Sequence, residues 1–130
     1  MANSSRPLSP HLQVYRWPLA MAISILHRIT GVALAIGAVL MVAILVAIAS
    51  GPESYDMIRI FITSKIGKAF LFLWTIALFL HLFNGIRHLV WDAGYGFEKS
   101  TTKNSGIVIL FATIVLSAAV WFVAYMVTNG

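Results

Sequence analysis

The sequence predicts an all-α membrane protein with three transmembrane helices, and three observations carry that prediction. The 130-residue chain is 60% hydrophobic and 10% charged, where soluble domains run roughly 45–50% and about 25%. Its mean hydropathy is +0.90. Two long runs, Val32–Ala49 and Ile107–Val127, hold no charged residue, and about 20 apolar residues cross a bilayer core. A water-soluble domain of this length has no interior large enough to hide so much apolar surface.

The elements follow in order. Residues 1–20 are polar and punctuated by Pro7, Pro10 and Pro18, which predicts an irregular segment on the membrane surface. Tyr15 and Trp17 suit the interface, where aromatic rings with a polar edge collect. The first span is expected over 21–50, ended by Gly51-Pro52 because proline cannot continue the hydrogen-bond ladder. Its 18-residue apolar run exceeds the 7–15 residues of a signal-peptide core, so it reads as a span and not as a cleaved leader. A loop over 51–64 carries Glu53, Asp56 and Arg59, with a short amphipathic turn near Met57. The second span is expected over 65–93, between Lys65 and Asp92. A polar loop over 94–105 holds Glu98, Lys99 and Lys103, and the third span runs over 106–127.

Lys and Arg counts set the orientation. Arg6, Arg16, Arg28, Arg87, Lys99 and Lys103 gather on the side of the N-terminus. Arg59, Lys65 and Lys68 lie on the other. Positive loops stay in the cytoplasm, so the N-terminal segment and the 94–105 loop are expected there and the 51–64 loop in the periplasm.

Two polar clusters interrupt the apolar spans. Ionisable groups at membrane depth are costly and default to functional readings. In the second span, His81, Gly85 and His88 are spaced to share one helix face. An imidazole nitrogen is the usual non-covalent ligand of haem iron in an electron carrier. Gly85 would let a flat macrocycle approach the backbone, and Arg87 and His88 are placed to meet its propionates. In the first span, Ser24, His27, Arg28 and Gly31 line a matching face. Ser24 and Arg28 can hydrogen-bond a carbonyl oxygen, as a quinone requires.

Plainer roles stand beside these. His81 also fits a hydrogen bond to a neighbouring helix. Arg28 and Arg87 also fit interfacial anchors whose charged ends reach water. Gly31, Gly37 and Gly85 also fit close helix packing. The aromatic group Phe70, Phe72, Trp74, Phe79 and Phe83 reads as lipid-facing or packing surface, and no methionine sits in a polar constellation. The chain has no cysteine, which excludes disulfides, iron–sulfur ligation and covalent haem attachment. The only carboxylate in a span is Asp92 at its end, which speaks against a proton relay. The nine basic residues are scattered, which excludes a nucleic-acid partner.

Three stretches, Arg6-Pro-Leu-Ser-Pro-His11-Leu-Gln-Val-Tyr15, Ser24-Ile-Leu-His27-Arg28-Ile-Thr30-Gly31 and His81-Leu-Phe-Asn-Gly85-Ile-Arg87-His88-Leu-Val-Trp91-Asp92-Ala-Gly94, resemble the cytochrome b556 anchor family of succinate dehydrogenase, respiratory complex II. The resemblance implies a three-helix anchor that packs with a second hydrophobic anchor subunit into a haem-binding bundle. It implies one haem b shared between the two, with His81 as this chain's axial ligand to the iron and a partner histidine opposite. It implies that His27, Arg28 and His88 lie near the propionates, and that Ser24 and Arg28 line a ubiquinone pocket. It further implies iron–sulfur and flavoprotein subunits docked on the cytoplasmic face, succinate oxidation on the flavoprotein, and, without a transit segment ahead of the motifs, a bacterial inner membrane. A haem-free structural anchor of a related dehydrogenase or fumarate reductase is the alternative. A small channel or transporter subunit is a third reading, from another class.

Overall fold

The computed structural model describes residues 16–129. The expectations placed on residues 1–15, including His11 and Tyr15, lie outside the described residues. Four helices follow one another: α1 Leu19–Ser50, α2 Pro52–Thr63, α3 Lys65–Asp92 and α4 Lys99–Asn129. Three of them, α1, α3 and α4, are long and apolar enough to cross a membrane. The fold is all-α, as the sequence predicts. At 1.5 Å per residue, the 32 residues of α1 extend to about 48 Å. A hydrocarbon core is about 30 Å thick, so the polar first turns of such a helix lie toward the headgroups.

Two segments differ from the sequence expectation. The 51–64 stretch, expected as a loop with a short turn, is helical over Pro52–Thr63. Pro52 occupies the first helical turn, where its missing N–H costs nothing, and Glu53 sits in that turn against the positive end of the helix dipole. Its mixture of charged and apolar residues suits a helix lying along an interface. The 94–105 stretch, expected as a loop, is already helical from Lys99. Its Ser, Thr, Lys and Asn content reads as coil, but Thr102 and Ser105 bind a side chain of α3, which fixes them in a helical turn.

The connections are tight. Gly51, at φ 113°, separates α1 from α2 in a backbone region that L side chains rarely adopt. Ser64 caps α3 by accepting the Gly67 amide hydrogen at 3.0 Å. Gly67 is buried against the backbone of Phe61, leaving no room for a side chain where α2 folds back on α3. Between α3 and α4, the Gly96 carbonyl accepts hydrogen bonds from Trp91 Nε1 at 3.2 Å and Thr102 Oγ1 at 3.3 Å.

Helix α3 is the central element, packed on α1 along one side and on α4 along the other. Among the described residues, the buried apolar core is only Ile23, Ala47, Leu80 and Ile109. Large apolar side chains such as Val39, Ile66 and Val127 point outward. That inversion suits a chain surrounded by lipid, where no hydrophobic drive brings helices together and small residues and polar contacts hold them instead. Gly37 of α1 illustrates this: a Cβ there would run into the indole of Trp74. Gly106 of α4 meets Ile23 of α1 in the same way, with room for a Cβ only 2.8 Å from the Ile23 side chain. Trp121 of α4 donates to Thr75 Oγ1 of α3 at 3.2 Å and meets Phe72 edge-on.

Candidate functional site

The α1–α3 contact brings together three of the four histidines. The rings of His27 and His81 stack nearly parallel, 4.0 Å apart between centroids. His88, two turns along α3 from His81, lies 5.2 Å from His27 at a tilt and meets Trp91 edge-on. Gly31 makes the approach possible. A Cβ at Gly31 would stand 3.0 Å from His81 Cε1, so a larger residue would displace the imidazole. At Gly85 the same added Cβ would find only His27 Cε1, at 3.9 Å. A side chain at Gly85 would thus meet the His27 ring in ordinary contact.

Hydrogen bonding fixes the state of His81. Its Nδ1 lies 3.1 Å from the His27 carbonyl oxygen and 3.2 Å from Thr30 Oγ1. A carbonyl oxygen can only accept, so Nδ1 carries the proton. The Thr30 hydroxyl hydrogen is directed to the carbonyls of Leu26 and His27, at 2.8 and 3.0 Å. With its hydrogen spent there, Thr30 Oγ1 is also an acceptor toward Nδ1. In a neutral imidazole, Nε2 then holds the free lone pair. His27 Nδ1 is buried and has no hydrogen-bond partner among the described residues.

Ser24 and Arg28 lie one turn apart on the same end of α1. Ser24 is half-buried and Arg28 is exposed. Neither has a hydrogen bond or ion pair among the described residues.

Arg87 departs from the sequence expectation. It was expected to face the same site as His88, but its guanidinium turns to α4 and is buried, 6% exposed. Nε donates to Ser105 Oγ at 3.0 Å, Nη2 to the Thr102 carbonyl at 2.7 Å and Nη1 to Asn84 Oδ1 at 3.4 Å. Its carbon Cζ stands 4.2 Å over the Trp91 ring. Adjacent helix positions point about 100° apart, since 3.6 residues make a turn. His88 and Arg87 therefore serve different neighbours.

Two contributors were not singled out by the sequence reasoning. Thr30 was visible only as part of a motif. A hydroxyl three residues after a histidine in an apolar span needs an acceptor, and that is the signal it offered. Asn84 is fully buried. Its position three residues before Arg87, one turn away on the same face, was the available clue.

The donor set fits a haem. One imidazole presents an unprotonated Nε2, its neighbour holds a buried nitrogen unpartnered among the described residues, two glycines flank them, and Arg28, unpaired among the described residues, directly follows His27 on α1.

Residues 2–120 match the family described as succinate dehydrogenase/fumarate reductase transmembrane subunit. The chain is 41% identical over 124 residues to the succinate dehydrogenase cytochrome b556 subunit of Paracoccus denitrificans, with 95% of each chain covered. It is 38% identical over 118 residues to the cytochrome b556 subunit of Rickettsia felis, covering 91% of this chain and 92% of that one. It is 38% identical over 123 residues to the mitochondrial cytochrome b560 subunit of Sus scrofa, covering 88% of this chain and 69% of that one.

Proposed function

The chain belongs to the succinate dehydrogenase/fumarate reductase transmembrane subunit family, and we propose that it is the haem-binding anchor of a succinate:ubiquinone oxidoreductase. The single observation that carries this reading is the state of His81, a half-buried imidazole whose Nδ1 is held by two acceptors and whose Nε2 lone pair is free. A haem b bound there supplies a one-electron redox centre inside the membrane. His81 would hold the haem iron through Nε2, together with a histidine of a second hydrophobic anchor subunit. His27, with its unpartnered Nδ1, and His88 and Arg28 supply donors and positive charge toward the propionates.

Ser24 and Arg28 provide the hydrogen-bond donors of this chain's share of a ubiquinone pocket. The relatives' names support the succinate dehydrogenase assignment. On this reading, succinate oxidation takes place on a flavoprotein partner, and electrons arrive through an iron–sulfur subunit docked at the end of α1 that carries Ser24. The basic asymmetry of the sequence supports placing that end on the cytoplasmic side, and the bacterial cytochrome b556 relatives, which match along nearly their whole length, favour a bacterial inner membrane.

A reduced-minus-oxidised optical spectrum of the purified complex tests the reading. The parent should show a b-type band. His81→Ala should lose haem or turn it high-spin. An unchanged low-spin spectrum in His81→Ala would remove His81 from the iron.

A further inference from the structure

We infer that Thr30 is a positioning residue for the iron ligand, holding the His81 imidazole through its Nδ1 proton and strengthening Nε2 as a donor. The inference deepens the proposed haem reading and rests on it. Its starting point is the geometry around one hydroxyl. Thr30 is buried, 8% exposed, on the face of α1 turned to α3. Its Oγ1 touches three groups: the carbonyls of Leu26 and His27 one turn back on its own helix, and Nδ1 of His81 across the interface.

Only one arrangement of protons satisfies all of them. If His81 carried its proton on Nε2, the Nδ1 lone pair would face the His27 carbonyl lone pair at 3.1 Å, a repulsive contact in a low-dielectric setting. With the proton on Nδ1, it is shared between that carbonyl and Thr30 Oγ1, and the hydroxyl hydrogen goes to Leu26 or His27. The hydroxyl therefore acts as a relay. It donates its hydrogen bond to an α1 backbone carbonyl and presents a polarised lone pair to the imidazole.

Three consequences follow for a metal-ligating ring. The tautomer is set, with Nε2 bare. The rotation of the ring is set, because two acceptors on different atoms define a plane where one would not. The His27 carbonyl alone would leave the ring free to turn about a single bond. Partial withdrawal of the Nδ1 proton also gives the imidazole more anionic character, which favours the oxidised metal. Threonine suits the task better than serine in one respect. Its second Cβ substituent restricts the rotamers open to the hydroxyl in a helix, and Oγ1 is held back toward the i−4 carbonyl. The Gly31 neighbour then leaves the imidazole room to lie flat on α1.

The test uses the whole purified complex with Thr30→Val and Thr30→Ser. The readouts are haem content, the low-spin electron paramagnetic resonance g-values of the oxidised haem, and its midpoint potential. Thr30→Val keeps the branched shape and removes the acceptor. It should retain low-spin haem, shift the g-values and move the midpoint potential to a more positive value. Thr30→Ser should restore both to the parent values. Parent g-values and potential in Thr30→Val overturn the inference. Should Thr30→Val not assemble, Thr30→Ala removes the same acceptor and is read in the same way: shifted g-values with a more positive potential support the inference, and parent values overturn it. An absence of b-type haem from the parent, or an unchanged low-spin signal in His81→Ala, overturns the ligand reading itself. Haem loss or a high-spin signal in His81→Ala beside an unresponsive Thr30→Val overturns only the role of Thr30.

Discussion

The two faces of α3 handle polar groups in opposite ways. Toward α4, the Arg87 cluster is closed: guanidinium, Ser105, Thr102 carbonyl, Asn84 and the Trp91 ring satisfy one another, with only one amide nitrogen of Asn84 left over. Toward α1, the histidine cluster is open. Among the described residues, His27 Nδ1 and His81 Nε2 have no partner and Arg28 has no counter-charge. On α3 the members of the two clusters interleave between His81 and Trp91. Within a membrane, a saturated polar cluster acts as a staple between helices, whereas an unsaturated one marks where something else must bind. Number of ionisable groups does not separate the two cases; the count of unfilled donors and acceptors does.

The largest expected effect falls on the closed face. Arg87→Leu removes three hydrogen bonds to a charged group and leaves Asn84 without its acceptor bond. Bonds of this kind contribute about 1.5–3 kcal/mol each and do not add simply. The variant complex should therefore lose about 2–4 kcal/mol of stability, seen as a lower midpoint in a detergent thermal melt. The haem spectrum of the complex that remains should match the parent. A displaced spectrum with an unchanged melt would mean that Arg87 serves the open face, and the comparison would break.

On the open face, the effects should fall on chemistry and spare stability. Arg28→Leu should slow succinate–quinone reduction by an amount on the order of 3 kcal/mol, because on the proposed reading it removes a charged donor from a quinone carbonyl. Ser24→Ala, which removes a neutral donor, should cost about 1 kcal/mol in the same assay. Both should leave dye-linked succinate oxidation at the parent rate, and only Arg28→Leu should disturb the haem. Parent rates and quinone affinities in both variants would show that these residues only anchor α1. Their melts sharpen the contrast further, since each should stay within about 0.5 kcal/mol of the parent.

The three long helices were legible because uncharged runs such as Val32–Ala49 and Ile107–Val127 have no other stable destination. Helix α2 was not. Its alternation of Glu53, Asp56 and Arg59 with Met57, Ile58 and Phe61 resembles a loop when read by polarity, and a helix only when an interface is supplied. The start of α4 was missed for a different reason. Thr102 and Ser105 are helical in company with Arg87, 15 and 18 positions away, a dependence no local window contains. The histidine pairing of α1 with α3 was anticipated as a shared face. The opposite turn of Arg87 was not, because neighbours in sequence were read as neighbours in space.

The Arg87 staple also bears on how the chain is made. A nascent helix leaves the insertion channel by partitioning into lipid, and an arginine in it resists that transfer by about 2.5–3.5 kcal/mol at mid-span, less near an end. Helix α3 carries such a cation, and the groups that neutralise its cost belong to a helix not yet synthesised. Release of α3 should therefore wait for α4, the two departing as a hairpin already joined at Thr102 and Ser105. A nascent chain stopped before Lys99 should integrate α3 less completely than the full chain in a membrane-insertion assay. Arg87→Leu should abolish that dependence, and equal integration of the stopped and full chains would show that α3 departs alone.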